Sequence, residues 1–274
     1  MRLEVTEQQI EAFDCDGFLV LEGALSPGEV EVWRRETEDA VARRLQAGGR
    51  HNQYEQSDPF YREVFTQALH LTRRHPGLRG LVYDPALAEL AGRLVGADGM
   101  RLWHDQALFK EPYGNQTSFH RDTPYWSMTT RRTVNFWFAL DDATVENGCL
   151  WYLPGTHKLG DFTHVEIGTG MSDLMKIYPQ WRAIRAVPTP VSAGGLVIHN
   201  GMVAHGAGAN MTPGRRRAMT IAYFPDGEVY NGRRDTLPEK YYDALQVGDR
   251  LEDDRYVPLL WSRQKVTSTA MPVE

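Results

Sequence analysis

The chain after Met100 contains short runs of β-branched and aromatic residues separated by turn-forming dipeptides. The runs cover residues 101–110, 133–140, 149–153, 196–199 and 219–224. The breaks fall at Asn147-Gly148, Pro154-Gly155, Gly194-Gly195, Asn200-Gly201 and Asp226-Gly227. Runs of this length, bounded by Gly, Pro and Asn, are typical of strands. Many short strands joined by such turns predict a mainly β fold, either a sandwich or a jelly roll.

Helix signals dominate the part of the chain before this β-rich region. Ser26-Pro27-Gly28-Glu29 combines a Ser cap, Pro at the first helical position and Glu at the third. Asp84-Pro85 begins another helix, which Gly96 ends, and a further helix is predicted near residues 58–71. We therefore expect one domain with helices flanking a β core. Its parts are a mainly helical region over residues 1–99, a jelly-roll core over 100–227, and a polar tail over 228–274 that wraps the surface.

Composition and charge exclude several classes of function. The 274 residues carry a net charge of −6, which gives no basic footprint for nucleic acid. No stretch approaches the roughly 20 apolar residues of a membrane span, and Met1-Arg2-Leu3-Glu4 does not begin a signal peptide. Two distant cysteines, Cys15 and Cys149, favour a reducing compartment. We expect a cytoplasmic protein with a small-molecule substrate and neither a nucleic-acid nor a membrane partner, and its oligomeric state stays open.

One group of polar residues has the composition of a metal site. His120-Arg121-Asp122 is followed by His205 and, eleven positions later, by Arg216. Two imidazoles and one carboxylate are the ligand set of non-haem Fe(II) oxygenases, and they leave about half of an octahedral metal's positions open. The guanidinium of an Arg can bind a dicarboxylate co-substrate through two parallel hydrogen bonds. These residue types together indicate an iron-dependent oxygenase.

The His-x-Asp triplet alone is weak evidence, because nine His and 36 acidic residues give about one such triplet by chance. A second triplet, His164-Val165-Glu166, is present. Residues i and i+2 of a strand share a face, so either triplet could offer two ligands to one metal. His164 lies in a Gly-rich stretch typical of a loop, whereas His120 lies between strand-like runs. Spacing alone leaves both a metal site and a chance coincidence open.

Four motifs in order resemble the phytanoyl-CoA dioxygenase family. They are His120-Arg121-Asp122, Asn147-Gly148-Cys149-Leu150, Leu153-Pro154-Gly155-Thr156-His157, and His205-Gly206-Ala207-Gly208-Ala209-Asn210 with Arg216. The resemblance spans residues 100–225 and implies a double-stranded β-helix (a cupin-like jelly roll) that uses Fe(II), 2-oxoglutarate and O2. It implies that His120, Asp122 and His205 ligate iron. It also implies that Arg216 binds the distal carboxylate of 2-oxoglutarate and that Trp137 borders this co-substrate.

The sequence departs from the family at one position of the co-substrate site. Relatives often carry Ser two residues after the distal His, where this chain has Ala207. Thr133 or Asn135 could supply the missing hydrogen bond, because a buried carboxylate that lacks donors is costly. Gln106 is a further candidate for binding the co-substrate or a metal-bound water.

The substrate is less constrained than the metal site. We expect oxidation of an unactivated C–H bond in a small organic molecule of bacterial secondary metabolism, by hydroxylation or by cyclisation, desaturation or epimerisation. A CoA thioester stays open, and Asp122 argues against a halogenase, because halogenating relatives carry a small residue there. Several large side chains could wall the substrate pocket, although core packing explains them equally well. These are Tyr125, Trp126, Met128, Trp103 and Phe109.

Two other classes of protein fit part of the pattern. A Zn-dependent hydrolase could use two His and a carboxylate with water as its fourth ligand. It would give no role to Arg216. A non-catalytic cupin-like protein that binds a metal or ligand would keep the same fold, because a fold does not by itself determine function.

Overall fold

Eleven strands and six helices make up the part of the chain that the computed structural model describes, residues 1–48 and 63–263. The helices are α1 (Glu7–Asp16), α2 (Pro27–Gln46), α3 (Arg79–Val82), α4 (Pro85–Val95), α5 (Leu174–Ile177) and α6 (Glu239–Tyr242). The strands are β1 (Phe18–Leu21), β2 (Thr66–Leu69), β3 (Gly99–Lys110), β4 (Thr117–His120), β5 (Val134–Ala139), β6 (Leu150–Tyr152), β7 (Val187–Thr189), β8 (Leu196–Asn200), β9 (His205–Ala207), β10 (Arg216–Pro225) and β11 (Leu259–Ser262).

The strands form two antiparallel sheets. The larger sheet has seven strands in the order β1-β8-β5-β10-β3-β11, with β2 also pairing with β3. The smaller sheet has four strands in the order β4-β9-β6-β7. One edge of β3 pairs with β10, and its other edge is shared by β2 at residues 106–109 and β11 at residues 99–101. Two facing antiparallel sheets confirm the predicted cupin-like jelly roll.

The alternation of side chains along the central strands separates the core from a cavity. Phe136 and Phe138 of β5 are fully buried in a cluster that includes apolar residues of α2 and α4. Asn135 and Trp137 point the opposite way, toward the smaller sheet, because successive side chains of a strand alternate between faces. Helices α1 to α4 therefore cover one face of the larger sheet, and the smaller sheet lies over the other face with the cavity between them.

The predicted starts of two helices are confirmed. Ser26 accepts a hydrogen bond from the backbone N–H of Glu29, whose carboxylate accepts from the backbone N–H of Ser26 at 2.8 Å. Asp84 caps α4 by accepting from the backbone N–H of Ala86 at 2.9 Å. Among the described residues, no helix is both long and apolar enough to cross a membrane.

The helix predicted near residues 58–71 is wrong where it can be compared. Thr66–Leu69 is the buried strand β2, and a 3-10 turn, Leu71–Arg73, follows it. Residues 58–62 lie outside the described residues. Pairing with β3 decides the conformation of this segment, because tertiary hydrogen bonds and burial outweigh weak helix propensity.

The segment after β10 is a structural part of the fold and does not simply wrap the surface. Its side chains form a buried cluster with Trp103, Trp126 and Phe224. The cluster members from this segment are Tyr230, Leu237, Tyr241, Tyr242, Leu251 and Val257. The segment also supplies β11 to the larger sheet and two residues to the cavity wall.

Candidate active site

Three polar side chains from β4, β9 and the turn after β4 lie close together. β4 and β9 are antiparallel neighbours in which His120 is paired directly with His205, and Asp122 follows β4 by two residues. Among the described residues, His120, Asp122 and His205 form the one group of three whose ligand atoms all lie close together, within 4.8 Å of one another. The Nε2 atoms of the two imidazoles each lie 3.6 Å from an oxygen of Asp122. The geometry therefore brings together the residues that the spacing singled out.

Main-chain carbonyls orient both imidazoles. Nδ1 of His120 donates to the carbonyl of Ser118 at 2.9 Å, and Nδ1 of His205 donates to the carbonyl of Val203 at 3.0 Å. Because Nδ1 carries the proton, the lone pair of each ring is on Nε2, which faces Asp122. Burial lowers the pKa of His205 to about 3 and keeps its ring neutral, as metal ligation requires.

Asp122 is held by contacts with three other residues. Its backbone N–H donates to the carbonyl of Gly201 at 2.9 Å. One carboxylate oxygen accepts from the side-chain amide of Asn135 at 2.6 Å and from Nε2 of His199 at 3.2 Å. The hydroxyl of Tyr152 donates to Nδ1 of His199 at 2.9 Å, which leaves the proton of this ring on Nε2. His199 therefore supports the carboxylate and is not a member of the three-residue group.

Arg216 begins β10 and faces the same cavity. Its side chain is 3% exposed, and its guanidinium lies 5.0 Å from the centroid of the Trp137 ring. Nε and Nη1 have no hydrogen-bond partner among the described residues. Burial lowers its pKa to about 10, so the group stays cationic at neutral pH. A buried cation without a partner is costly, so this arrangement is suited to binding an anion.

Arg215 and Arg217 face outward, as strand alternation predicts. Arg215 pairs with Glu111 at 2.8 Å, and Arg217 pairs with Asp141 at 2.6 Å. Other cationic side chains near the motif also have hydrogen-bond partners outside the cavity. Lys110 donates to the carbonyl of Asn115 at 2.6 Å.

Arg121 and Arg131 are likewise engaged outside the cavity. Arg121 donates to the carbonyl of Asp161 at 2.7 Å and to the hydroxyl of Tyr178 at 2.8 Å. Arg131 donates to the carbonyl of His157 at 2.7 Å. Among the described residues that line the cavity, Arg216 is therefore the single Arg or Lys.

The candidates for additional co-substrate contacts have different environments. Asn135 and Gln106 line the cavity, but the amide of Asn135 is bonded to Asp122, and Gln106 accepts from Gln67 at 2.6 Å. The hydroxyl of Thr133 is bonded to Thr123 at 2.5 Å, outside the cavity wall.

Sequence reasoning missed Thr220, whose hydroxyl is buried in the cavity wall without a partner among the described residues. Thr220 lies four residues after Arg216 on β10, so the two side chains share a face. Strand alternation from Arg216 is the sequence signal that could have found it.

The large side chains predicted to wall the substrate pocket divide into two groups. Tyr125 and Trp126 line the cavity, which encloses about 970 Å3 of empty space including its open mouth. The other three do not line it, contrary to expectation. Trp103 and Met128 pack in the buried cluster that the segment after β10 forms. Phe109 packs in the core cluster that includes residues of α2 and α4. The apolar surfaces of these three side chains are therefore in contact with other core residues.

His164 lies outside the three-residue group. Its ring packs edge-on against Tyr125, with centroids 4.3 Å apart. Other cavity residues were not predicted from the sequence as site residues, because no sequence pattern shows which of their side chains face the cavity. They are Phe65, Gln67, Leu69, His104, Leu108, Thr117, Leu150, Ile167, Thr220, Asp235 and Thr236.

Comparisons with known proteins agree with this geometry. The family model described as phytanoyl-CoA dioxygenase matches residues 13–218. A mouse protein named phytanoyl-CoA dioxygenase domain-containing protein 1 is 26% identical, with 79% of this chain and 89% of the mouse protein covered. The methylphosphonate hydroxylase of Gimesia maris is 24% identical, with 81% of this chain and 82% of that protein covered.

Two solved structures from nogalamycin biosynthesis are similar over nearly the whole chain. The non-heme α-ketoglutarate-dependent carbocyclase SnoK has a TM-score of 0.77 at 27% identity, with 93% of this chain and 96% of SnoK covered. The epimerase SnoN, solved with Fe3+, α-ketoglutarate and nogalamycin RO, has a TM-score of 0.74 at 26% identity, with 93% of this chain and 98% of SnoN covered.

Proposed function

The chain belongs to the phytanoyl-CoA dioxygenase family of Fe(II)- and 2-oxoglutarate-dependent oxygenases, and we propose that His120, Asp122 and His205 are its iron ligands. One observation carries this assignment. Two imidazoles and a carboxylate place their ligand atoms within 4.8 Å of one another, in the same cavity as an unpaired guanidinium. This donor set fits Fe(II), because nitrogen and oxygen donors on one side of the metal leave positions open for a chelating co-substrate.

We assign the 2-oxoglutarate site to Arg216 and Thr220. Their unpaired donors share one face of β10, and Trp137 packs against the guanidinium. A dicarboxylate that chelates the metal at one end would bring its far carboxylate to these donors. The hydrogen bond that Ala207 cannot make would then come from Thr220.

The roles of the other residues follow from their contacts. Iron, 2-oxoglutarate and O2 supply the oxidising power for cleaving a C–H bond, with succinate and CO2 as co-products. The carbonyls behind His120 and His205 keep the lone pairs of Nε2 directed at the metal position. Asn135 and His199 hold the carboxylate of Asp122 in one orientation. The cavity around these groups orients the substrate and limits side reactions.

We further propose that the substrate is a small organic molecule of secondary metabolism with a ring or similarly bulky apolar scaffold. The cavity wall is largely apolar and aromatic, with Trp126 and Tyr125 near the metal ligands. The carbocyclase SnoK and the epimerase SnoN are relatives that both come from a biosynthetic pathway. These relatives support cyclisation and epimerisation, beside hydroxylation, as outcomes for this site.

A mass-spectrometric screen tests the proposed substrate class. Purified protein with Fe(II), 2-oxoglutarate and O2 is incubated with polycyclic and glycosylated metabolites, and succinate is measured together with each product. We expect succinate formation to rise with a true substrate, whose product gains oxygen, loses hydrogen or keeps its mass as a stereoisomer. Stimulation by CoA thioesters alone would contradict the proposed class. Asp122→Ala is the inactive control.

A further inference from the structure

Three polar side chains of the cavity wall each have an atom without a partner, and they belong neither to the group His120, Asp122 and His205 (the metal group) nor to the Arg216 site. Nδ1 of His104, Oδ2 of Asp235 and Oγ1 of Thr236 are buried and have no hydrogen-bond partner among the described residues. All three residues line the cavity that contains the metal group. We refer to His104, Asp235 and Thr236 as the polar patch.

The fold holds the polar patch in place. His104 faces the cavity, whereas the next residue on β3, Asp105, faces away and accepts from Thr72 at 2.7 Å. The backbone N–H of Asp235 donates to the hydroxyl of Tyr242 at 3.0 Å. Nε2 of His70 lies 3.0 Å from the carbonyl of Thr236, which fixes the neighbouring backbone. These contacts fix the polar patch within the cavity wall.

The surroundings of the polar patch are apolar and aromatic. The ring of Trp126 packs edge-on against His104 with centroids 5.5 Å apart, and His104 is only 4% exposed. Burial raises the pKa of Asp235 to about 7, although the backbone of Thr236 and the indole of Trp103 favour its charged form, and burial lowers the pKa of His104 to about 4. Buried polar atoms are nearly always paired in folded proteins, so unpaired ones on a cavity wall point to a ligand group that completes them.

We propose that Asp235 and His104 bind a hydrogen-bond-donating group of the substrate, a hydroxyl or a protonated amine, and so select which C–H bond faces the metal. Both residues can accept a hydrogen bond, and a carboxylate favours a cationic or neutral donor over an anionic group. This inference rests on the proposed function, since it concerns the substrate of the same cavity. It implies a bulky apolar scaffold with at least one hydroxyl or amine and with no carboxylate at this position.

Benzylamine, benzyl alcohol and toluene are matched probes of the polar patch, because they share a ring that fits the aromatic wall and differ in the donor group. Their affinities are measured by ligand-observed NMR on protein loaded anaerobically with Fe(II) and 2-oxoglutarate. We expect Asp235→Leu to weaken benzylamine and benzyl alcohol about tenfold or more, because each loses a hydrogen bond to a charged or buried acceptor. Toluene should bind this variant as well as it binds the wild type.

Asp235→Asn distinguishes the two donor groups. Loss of benzylamine binding alone would support an amine, because the amide keeps an acceptor but has no charge. Retention of both probes in Asp235→Asn, with loss of both in Asp235→Leu, would support a hydroxyl. Asp243→Leu is the matched control, since Asp243 lies on the same segment but pairs with Arg234 outside the cavity.

Unchanged affinities in Asp235→Leu, or no measurable binding of the two donor probes to the wild type, would overturn the proposal. His104→Phe provides a second variant if thermal unfolding shows that Asp235→Leu is not folded. The visible absorption of the Fe(II)–2-oxoglutarate complex, recorded on the same samples, reports separately on the proposed function. Its absence from the wild type would refute that function, whereas its presence together with unchanged probe affinities would refute only the role of the polar patch.

Discussion

At the scale of single residues, the environment of Arg216 is the strongest indication of a co-substrate. Its guanidinium is buried beside Trp137, and two of its nitrogens have no partner among the described residues. The cations on either side of it are paired with Glu111 and Asp141. The fold thus leaves one cation unpaired in the cavity, at the place where a carboxylate would neutralise it.

Replacing Arg216 with Ala should weaken 2-oxoglutarate binding by about one to four decades. The lost contact is charge-assisted and buried, and such contacts contribute about 2–5 kcal/mol. Anaerobic titration of 2-oxoglutarate into the Fe(II) protein measures this change. Arg215→Ala, which removes an outward-facing neighbour, should bind the co-substrate like the wild type. Equal affinities in Arg216→Ala and Arg215→Ala would show that another residue binds the carboxylate.

Thr220→Val should weaken 2-oxoglutarate binding about tenfold to a hundredfold. The substitution removes one hydrogen bond from a hydroxyl to a carboxylate, which contributes about 1.5–3 kcal/mol because the acceptor is charged, and it keeps the shape of the side chain. The same titration measures it. Thr133→Val should leave the affinity unchanged, because that hydroxyl is bonded to Thr123. A larger effect of Thr133→Val than of Thr220→Val would reverse the assignment.

The sequence predicted some of these residues and missed others for a physical reason. His120, Asp122, His205 and Arg216 combine chemistry and spacing that few other positions share. Thr220 is one hydroxyl in an apolar strand, so nothing in its neighbours marks it. Only the structure shows that its side chain faces the same cavity as Arg216.

At the scale of secondary-structure elements, the pairing of β4 with β9 brings the two proposed His ligands together. Gly206 follows His205 on β9, and a Cβ atom there would lie 2.7 Å from the carbonyl oxygen of Thr117 on β4. A contact of this length would force the two strands apart. The absence of a side chain at Gly206 therefore permits the approach that aligns His120 with His205.

Gly206→Val should lower both the stability of the fold and its affinity for Fe(II). Forcing a side chain into this contact costs about 1–3 kcal/mol and displaces one strand from the other. Thermal unfolding and Fe(II) titration measure the two effects. Ser26→Ala is the control, because losing a helix cap costs about 1 kcal/mol far from the site and should leave Fe(II) affinity unchanged. Unchanged Fe(II) affinity in Gly206→Val would contradict the role of this strand pair.

The predicted strands and the missed strands differ mainly in length and neighbours. The runs that predicted β3, β5, β6, β8 and β10 contain four to ten residues each in a single apolar pattern. β1, β2, β4, β7, β9 and β11 have only three or four residues each, too few to establish a period of two. Their conformation is decided by pairing with distant strands, which a local pattern does not contain.

At the scale of the whole molecule, the cavity is closed by parts of the chain that lie far apart in sequence. The two sheets supply His120, His205 and Arg216, the turn after β4 supplies Asp122, and the segment after β10 supplies Asp235 and Thr236. The polar composition of this segment predicted a surface tail, because its apolar residues are scattered among charged ones. These apolar residues are buried only in the folded protein, where they contact Trp103 and Phe224 of the sheet.

Trp126→Ala should uncouple co-substrate consumption from product formation. The ring lines the cavity next to His104, so removing it leaves a substrate less well positioned relative to the metal. Once a substrate is identified, succinate and oxidised product are measured together, and the ratio of product to succinate should fall. Met128→Leu, at a buried core position, should preserve the ratio. An unchanged ratio in Trp126→Ala would assign that ring to packing alone.

The assignment of His120, Asp122 and His205 as the iron ligands is tested most directly by anaerobic titration of Fe(II) and 2-oxoglutarate, followed by visible absorption. The wild type should develop the charge-transfer band of a chelated Fe(II)–2-oxoglutarate complex. His120→Ala, Asp122→Ala and His205→Ala should lose the band while remaining folded, because the jelly-roll core does not depend on these side chains. His164→Ala should keep it. A band of wild-type intensity and affinity in Asp122→Ala would contradict the ligand assignment.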